Sequence, residues 1–181
     1  MAVTRPLIAA ATAAVLLLGG CGADGDRSKS AGPTTTAAVS PDFNGADVAF
    51  VRALVPHHRQ GVEIAKLGAE RATRPEARVL AAAIVATQQD EATRLEGWLA
   101  TWKQPPAPTA APVELIGTLR TAASADFDKA FLNALIAHQN EAVTLARTEA
   151  GAGANRDALA FARQVDESRT AEVEEMRSYL R

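Results

Sequence analysis

The sequence predicts an all-α fold, a four-helix bundle made of two repeated helical hairpins, and three observations carry that prediction. Apolar residues make up 48% of the 181-residue chain but aromatics only 4%. The apolar share is therefore largely Ala, Leu and Val, which suits helices better than strands. The chain also matches itself without insertion at a shift of 81 residues: Asp47, Phe50, Leu54, His57, Val62, Ala65, Glu91 and Leu99 correspond to Asp128, Phe131, Leu135, His138, Val143, Ala146, Glu172 and Leu180. Finally, the matched apolar positions step by three or four, the spacing of one buried helix face. Two hairpins with one apolar face each bury it by pairing.

Residues 1–20 precede the repeats and read as a secretory signal. Arg5 opens the segment, a short apolar core follows, and small residues precede a cut. The apolar run is too short for a membrane-spanning helix of about 20 residues. Leu18-Gly19-Gly20-Cys21 looks like a bacterial lipobox, in which the chain's one Cys becomes the lipid-bearing first residue of the mature protein. The expectation is export, with Cys21 lipidated and the protein held at the extracytoplasmic face of the membrane. Residues 21–41, rich in Gly, Ser, Thr, Ala and Pro, read as a disordered tether.

The bundle is expected over 42–181. Its first repeat spans 45–102, with helices near 45–71 and 75–102. Asn44 with Asp47 three residues on resembles a cap, and Thr73 precedes Pro75 at the second start. Pro56 lies inside the first helix and lacks the N–H that would bond the Arg52 carbonyl, so a kink is expected before the two His. A Pro-rich crossover, 103–124, carries Pro105, Pro106, Pro108 and Pro112 and has room for a short helix over Val113–Arg120. The second repeat, 125–181, has helices near 125–150 and 155–180, the latter capped by Asn155.

Composition removes several function classes. A formal charge of −2 leaves no electrostatic footprint for nucleic acid. One Cys excludes an intramolecular disulfide framework and a thiolate zinc site. No Gly-rich phosphate loop or nucleophile motif is present, so the expectation is a binding protein and not an enzyme. A carboxylate-bridged di-iron oxidase needs Glu three residues before each His, where this chain has Leu54 and Leu135.

What remains is a polar set on the buried faces. His57 and His138 are repeat mates, as are Glu91 and Glu172, and all four stand at core spacing. They are expected to meet near the middle of the bundle, with His58 at the edge of the layer. Imidazole and carboxylate together can hold a divalent transition metal. They can equally satisfy each other by charge-assisted hydrogen bonds and only fix the bundle, as a metal-free structural or interaction lipoprotein. Asp47 and Asp128 read as first-turn residues favoured by the helix dipole.

The stretch from Asp47 to Ala65, with its Pro56-His57-His58-Arg59-Gln60-Gly61 core, resembles the signature of the DUF305 family, and Phe127 to Ala146 resembles its second copy. The resemblance implies a ferritin-like helical bundle, exported, with copper as the first metal to consider and a single site drawn from His57, His58, His138, Met176 and the Glu pair. Met176 stands where the family has a Met in the last helix. The family pattern has Met where this chain has Leu54, Ile64, Leu135 and Leu145, and a second His pair where it has His138-Gln139. Thioether sulfur selects Cu(I), so a methionine-rich Cu(I) store is not expected.

Overall fold

The computed structural model describes residues 39–110 and 114–181. The signal, Cys21, most of the tether and Val113 lie outside the described residues. Five helices follow in order: α1 Gly45–Arg71, α2 Pro75–Thr101, α3 Glu114–Thr121, α4 Ser124–Ala152 and α5 Arg156–Tyr179. The four long helices are those expected, within two residues at each end, and the crossover carries the short α3. No described helix is long and apolar enough to cross a membrane.

Local chemistry sets the ends. Asn44 and Asp47 form a reciprocal capping box at the start of α1, and the Asn155 side chain accepts from Asp157 N and Ala158 N at the start of α5. The α2 start differs from expectation: Arg74 is the N-cap residue and makes no side-chain cap. The Thr73 hydroxyl instead donates to Asp128 Oδ2 at 2.7 Å, while Thr73 N and Arg74 N donate to the same carboxylate at 2.8 and 2.9 Å. Asp128 thus serves the α1–α2 turn rather than the first turn of its own helix. Its mate Asp47 caps its own helix start and also serves the α4–α5 turn, accepting from Ala154 N at 3.1 Å and Asn155 N at 2.9 Å. Each repeat therefore closes the turn of the other. At the far end of α2, Lys103 takes a left-handed φ of 55°, and Gln104 N bonds Leu99 O at 2.8 Å, a Schellman-type stop.

The apolar side chains gather into two clusters. One holds Phe50, Leu54, Leu95, Trp98 and Phe161; the other holds Ile64, Ile84, Phe127, Phe131, Leu135 and Met176. Apart from Asp47 and Glu149 at the helix ends, the buried polar residues of each long helix fall between the segments that feed these clusters, so the polar layer crosses the bundle at mid-height. Two Arg of α1 hold the crossover over this frame. Arg52 donates to Pro105 O and Pro106 O at 2.7 and 2.8 Å, and Arg71 to Arg120 O and Ala122 O at 2.8 and 2.6 Å. Ser40 N bonds Asp157 Oδ2 at 2.8 Å and Val39 is buried. The packed chain thus begins at least three residues before the expected boundary at 42.

Candidate metal centre

The layer holds His57, His58, Gln88, Glu91, His138, Gln139 and Arg169, all buried, together with the slightly more exposed Glu172. The expected quartet of two His and two Glu does not form one cluster. The structure splits it, because the two His turn to each other's backbone and a guanidinium stands between the two Glu.

The first half lies between the repeats. The His57 and His138 rings stack with centroids 3.7 Å apart and planes 24° from parallel. His57 Nε2 bonds His138 O at 3.1 Å, and His138 Nε2 bonds His57 O at 3.0 Å. A carbonyl only accepts, so each Nε2 carries the proton and each Nδ1 is left as a lone pair. Both Nδ1 atoms are buried without a hydrogen-bond partner. Burial, reinforced by the neighbouring imidazoles, pushes the His57 pKa down to about 2. Burial likewise brings His138 to about 4, against the pull of its hydrogen bonds. Both rings are neutral at physiological pH, the form that ligates metals. Glu141, largely exposed, lies 3.7 Å from His57 Nε2.

The second half is ionic. Arg169 donates through Nη2 to Glu91 and through Nη1 to Glu172 Oε1 at 2.8 Å. His58 Nε2 lies 3.1 Å from Glu91 Oε2, the oxygen that Arg169 also reaches. An adjacent carboxylate favours the proton on Nε2 of His58, but the pair is not aligned as a hydrogen bond, and both ring nitrogens of His58 are buried without a hydrogen-bond partner. Burial lowers the His58 pKa despite Glu91. Burial raises the Glu91 carboxyl, but His58 and Arg169 outweigh it and the net direction is down. For Glu172 burial wins and the direction is up. Gln139 donates to Glu172 Oε2 and accepts from Gln88 Nε2 at 3.1 Å, linking this half to α2.

Gly61 sets the closeness of the layer. A Cβ there would stand 2.0 Å from Gln88 Oε1 and 2.6 Å from His138 Cε1. Met176 is fully buried in the apolar cluster with Phe127, Phe131 and Val173, so the candidate sulfur is placed outside the imidazole pair. Among the described residues no three His, Cys, Asp or Glu side chains are gathered as a ready metal cage. The layer supplies imidazole lone pairs; a metal would have to draw them together. Sequence reasoning missed Arg169 as the central cation. The available signal was a charged residue at the position matched by Gln88.

A family model described as a domain of unknown function, DUF305, matches residues 47–114 and again residues 107–180. The chain belongs to the DUF305 family. No curated protein sequence matches it. Among solved structures, CopM in the Cu(I)-bound form is similar at 26% identity and a TM-score of 0.67, over 74% of this chain and 94% of that one. CopM has also been solved in Ag-bound, Cu(II)-bound and apo forms. A DUF305 fragment from Deinococcus radiodurans aligns at 25% identity and a TM-score of 0.70, covering 77% of this chain and 98% of that one. A DUF305 protein from Streptomyces coelicolor gives 26% identity and a TM-score of 0.66, covering 72% of this chain and 88% of that one. These DUF305 neighbours share the all-helical architecture described above.

Proposed function

We propose that this DUF305 protein is an exported, Cys21-lipidated binding protein that takes up a transition metal ion, copper first, through its histidine layer. The observation that supports this most is the set of buried imidazole nitrogens left without a hydrogen-bond partner. His57 and His138 each direct Nε2 at the other's carbonyl oxygen and keep a buried Nδ1 without a partner, and His58 adds two buried ring nitrogens without a hydrogen bond, its Nε2 3.1 Å from Glu91. Imidazole nitrogen suits copper and zinc alike, and a carboxylate or carbonyl on the far nitrogen fixes the tautomer and raises ligand basicity. The Cu(I)-, Cu(II)- and Ag-bound forms of CopM favour copper among these. The Leu18-Gly19-Gly20-Cys21 segment supports export and lipid anchoring.

A second reading has its own observation. The ion pairs of Arg169 with Glu91 and Glu172, and the reciprocal His57–His138 bonds, already satisfy much of the layer, which suits a metal-free polar layer fixing helix register. Equilibrium dialysis of the detergent-purified chain against Cu(I) and Cu(II), with copper measured by mass spectrometry, separates the two. The metal reading expects stoichiometric copper, lost in a His57→Gln/His58→Gln/His138→Gln variant that keeps its helical circular dichroism. Equal copper in both proteins, or none in either, overturns it in favour of the structural layer.

A further inference from the structure

We propose that Arg169 is a tethered cation that occupies a latent divalent-metal site formed by His58, Glu91 and Glu172, and that withdrawing it opens that site. The proposal rests on reading this layer as metal-handling and adds what controls its carboxylate half.

Three observations lead there. Arg169 is fully buried, and one guanidinium faces carboxylates from two helices: Glu91 of α2 through Nη2 and Glu172 of α5 through Nη1. His58 Nε2 lies 3.1 Å from the same Glu91 oxygen that Nη2 reaches, so two carboxylates meet a single positive group and one imidazole stands beside them. Two carboxylates and the His58 Nε2, once metal binding has displaced its proton, are also a donor set for Zn²⁺, Co²⁺ or Mn²⁺. The third observation is asymmetry. The repeat mate of Arg169 is Gln88, a neutral residue that bonds Gln139. The guanidinium is therefore not required by the repeated architecture, and its Nε is buried without a partner.

The guanidinium also accounts for the lack of a ready cage among the described residues. Its own nitrogens stand where a metal would sit, and the carboxylates are held apart on either side of a planar group rather than around a point. A metal ion reaching this half has to displace Arg169. The imidazole pair His57 and His138 lies outside that competition, so in the resting protein metal is directed to the imidazole half.

The test is Arg169→Gln, which gives the second repeat the residue of the first. The full chain, purified in detergent, is examined by thermal unfolding with and without Zn²⁺ and by Co²⁺ visible absorption. Without metal the variant is expected to melt lower than the parent, since two buried carboxylates lose their counter-charge. Zn²⁺ is expected to restore the melting temperature, and Co²⁺ to bind at least about tenfold more tightly than to the parent, a gain of ~1.4 kcal/mol. An Arg169→Gln/Glu91→Gln/Glu172→Gln variant keeps similar shapes without the charges and is expected to show no metal response. If Arg169→Gln fails to fold alone, Zn²⁺-dependent recovery of helical circular dichroism is the readout. A response no larger than the parent's, or an equal response in the triple variant, overturns the proposal. The outcome is separable from that of the copper reading, because Zn²⁺ rescue in an Arg169→Gln/His57→Gln/His138→Gln background uses none of the stacked pair.

Discussion

Gly61→Ala and Gly97→Ala are the same chemical change in two long helices, and the structure assigns them opposite signs. Gly97 lies in the interior of α2, exposed, with open space where a Cβ would go. There Ala is favoured by helix propensity alone, worth about 0.5–1 kcal/mol. At Gly61 the new methyl stands 2.0 Å from Gln88 Oε1 and 2.6 Å from His138 Cε1. Gln88 is fully buried and held by Gln139, and His138 is stacked on His57, so neither moves without breaking a contact. Overpacking costs ~1–3 kcal/mol and a broken buried hydrogen bond adds ~1 kcal/mol, against a propensity gain near 1. The net expectation is a loss of about 1–3 kcal/mol for Gly61→Ala. Equilibrium urea unfolding followed by circular dichroism measures both variants on one scale. Adding Gln88→Ala to Gly61→Ala is expected to cost less than the sum of the singles, since one of the two clashes is gone. A Gly61→Ala protein as stable as the parent, or one that shifts in the same direction as Gly97→Ala, would refute the packing argument for the layer.

Three further outcomes follow from the same geometry. Asp47→Ala is expected to destabilise by ~3 kcal/mol and Asp128→Ala by about 1–2, because Asp47 is fully buried and serves both its own helix start and the α4–α5 turn, whereas Asp128 is partly exposed and serves one turn; urea unfolding of the pair checks the order. Burial, with Asp47 alongside, raises the Glu149 carboxyl from its ordinary 4.5 to about 8. The folded state then holds a proton that the unfolded chain releases across that window, so this group's contribution to stability falls as pH rises through it, by at most ~1.4 kcal/mol per pH unit; the buried neutral His act in the opposite sense below their ordinary 6.5, so the effect is read as the parent-minus-Glu149→Gln difference. A parent-minus-variant stability difference that stays level or rises over that range would contradict the assignment. Leu54→Met/Leu135→Met places a thioether one turn before each stacked His; it conserves volume, costs less than ~1.5 kcal/mol, and is expected to strengthen Cu(I) binding more than Cu(II), as read by competition with chelators selective for each state.

The fold was legible because helical spacing and a shift of 81 residues are properties of the chain as written. Phe50, Leu54, His57 and Ile64 mark one face whatever lies opposite. Capping at Asn44 and Asn155 was legible for the same reason, since donor and acceptor are two or three residues apart. The site was only half legible. The pairing of His57 with His138 follows from the repeat, but the turn of each ring to the other's carbonyl is set by how closely α1 and α4 approach at Gly61. Arg169 breaks the symmetry that the reading relied on, and a pattern that matches mates has no place for a residue whose mate is Gln88. Asp47 and Asp128 were read by their helix positions, whereas their partners lie 107 and 55 residues away in the chain. Met176 was singled out for its sulfur, and its setting among Phe127, Phe131 and Val173 is a property of packing.

The central claim is that the three His keep their Nδ1 lone pairs for a metal. Long-range ¹H–¹⁵N correlation spectra of the His side chains, recorded before and after one equivalent of diamagnetic Cu(I), report it directly. The account predicts three neutral rings protonated on Nε2 in the metal-free protein, and a Cu(I)-induced shift confined to Nδ1 of at least two of them. Rings protonated on Nδ1, or spectra that Cu(I) leaves unchanged, would contradict it.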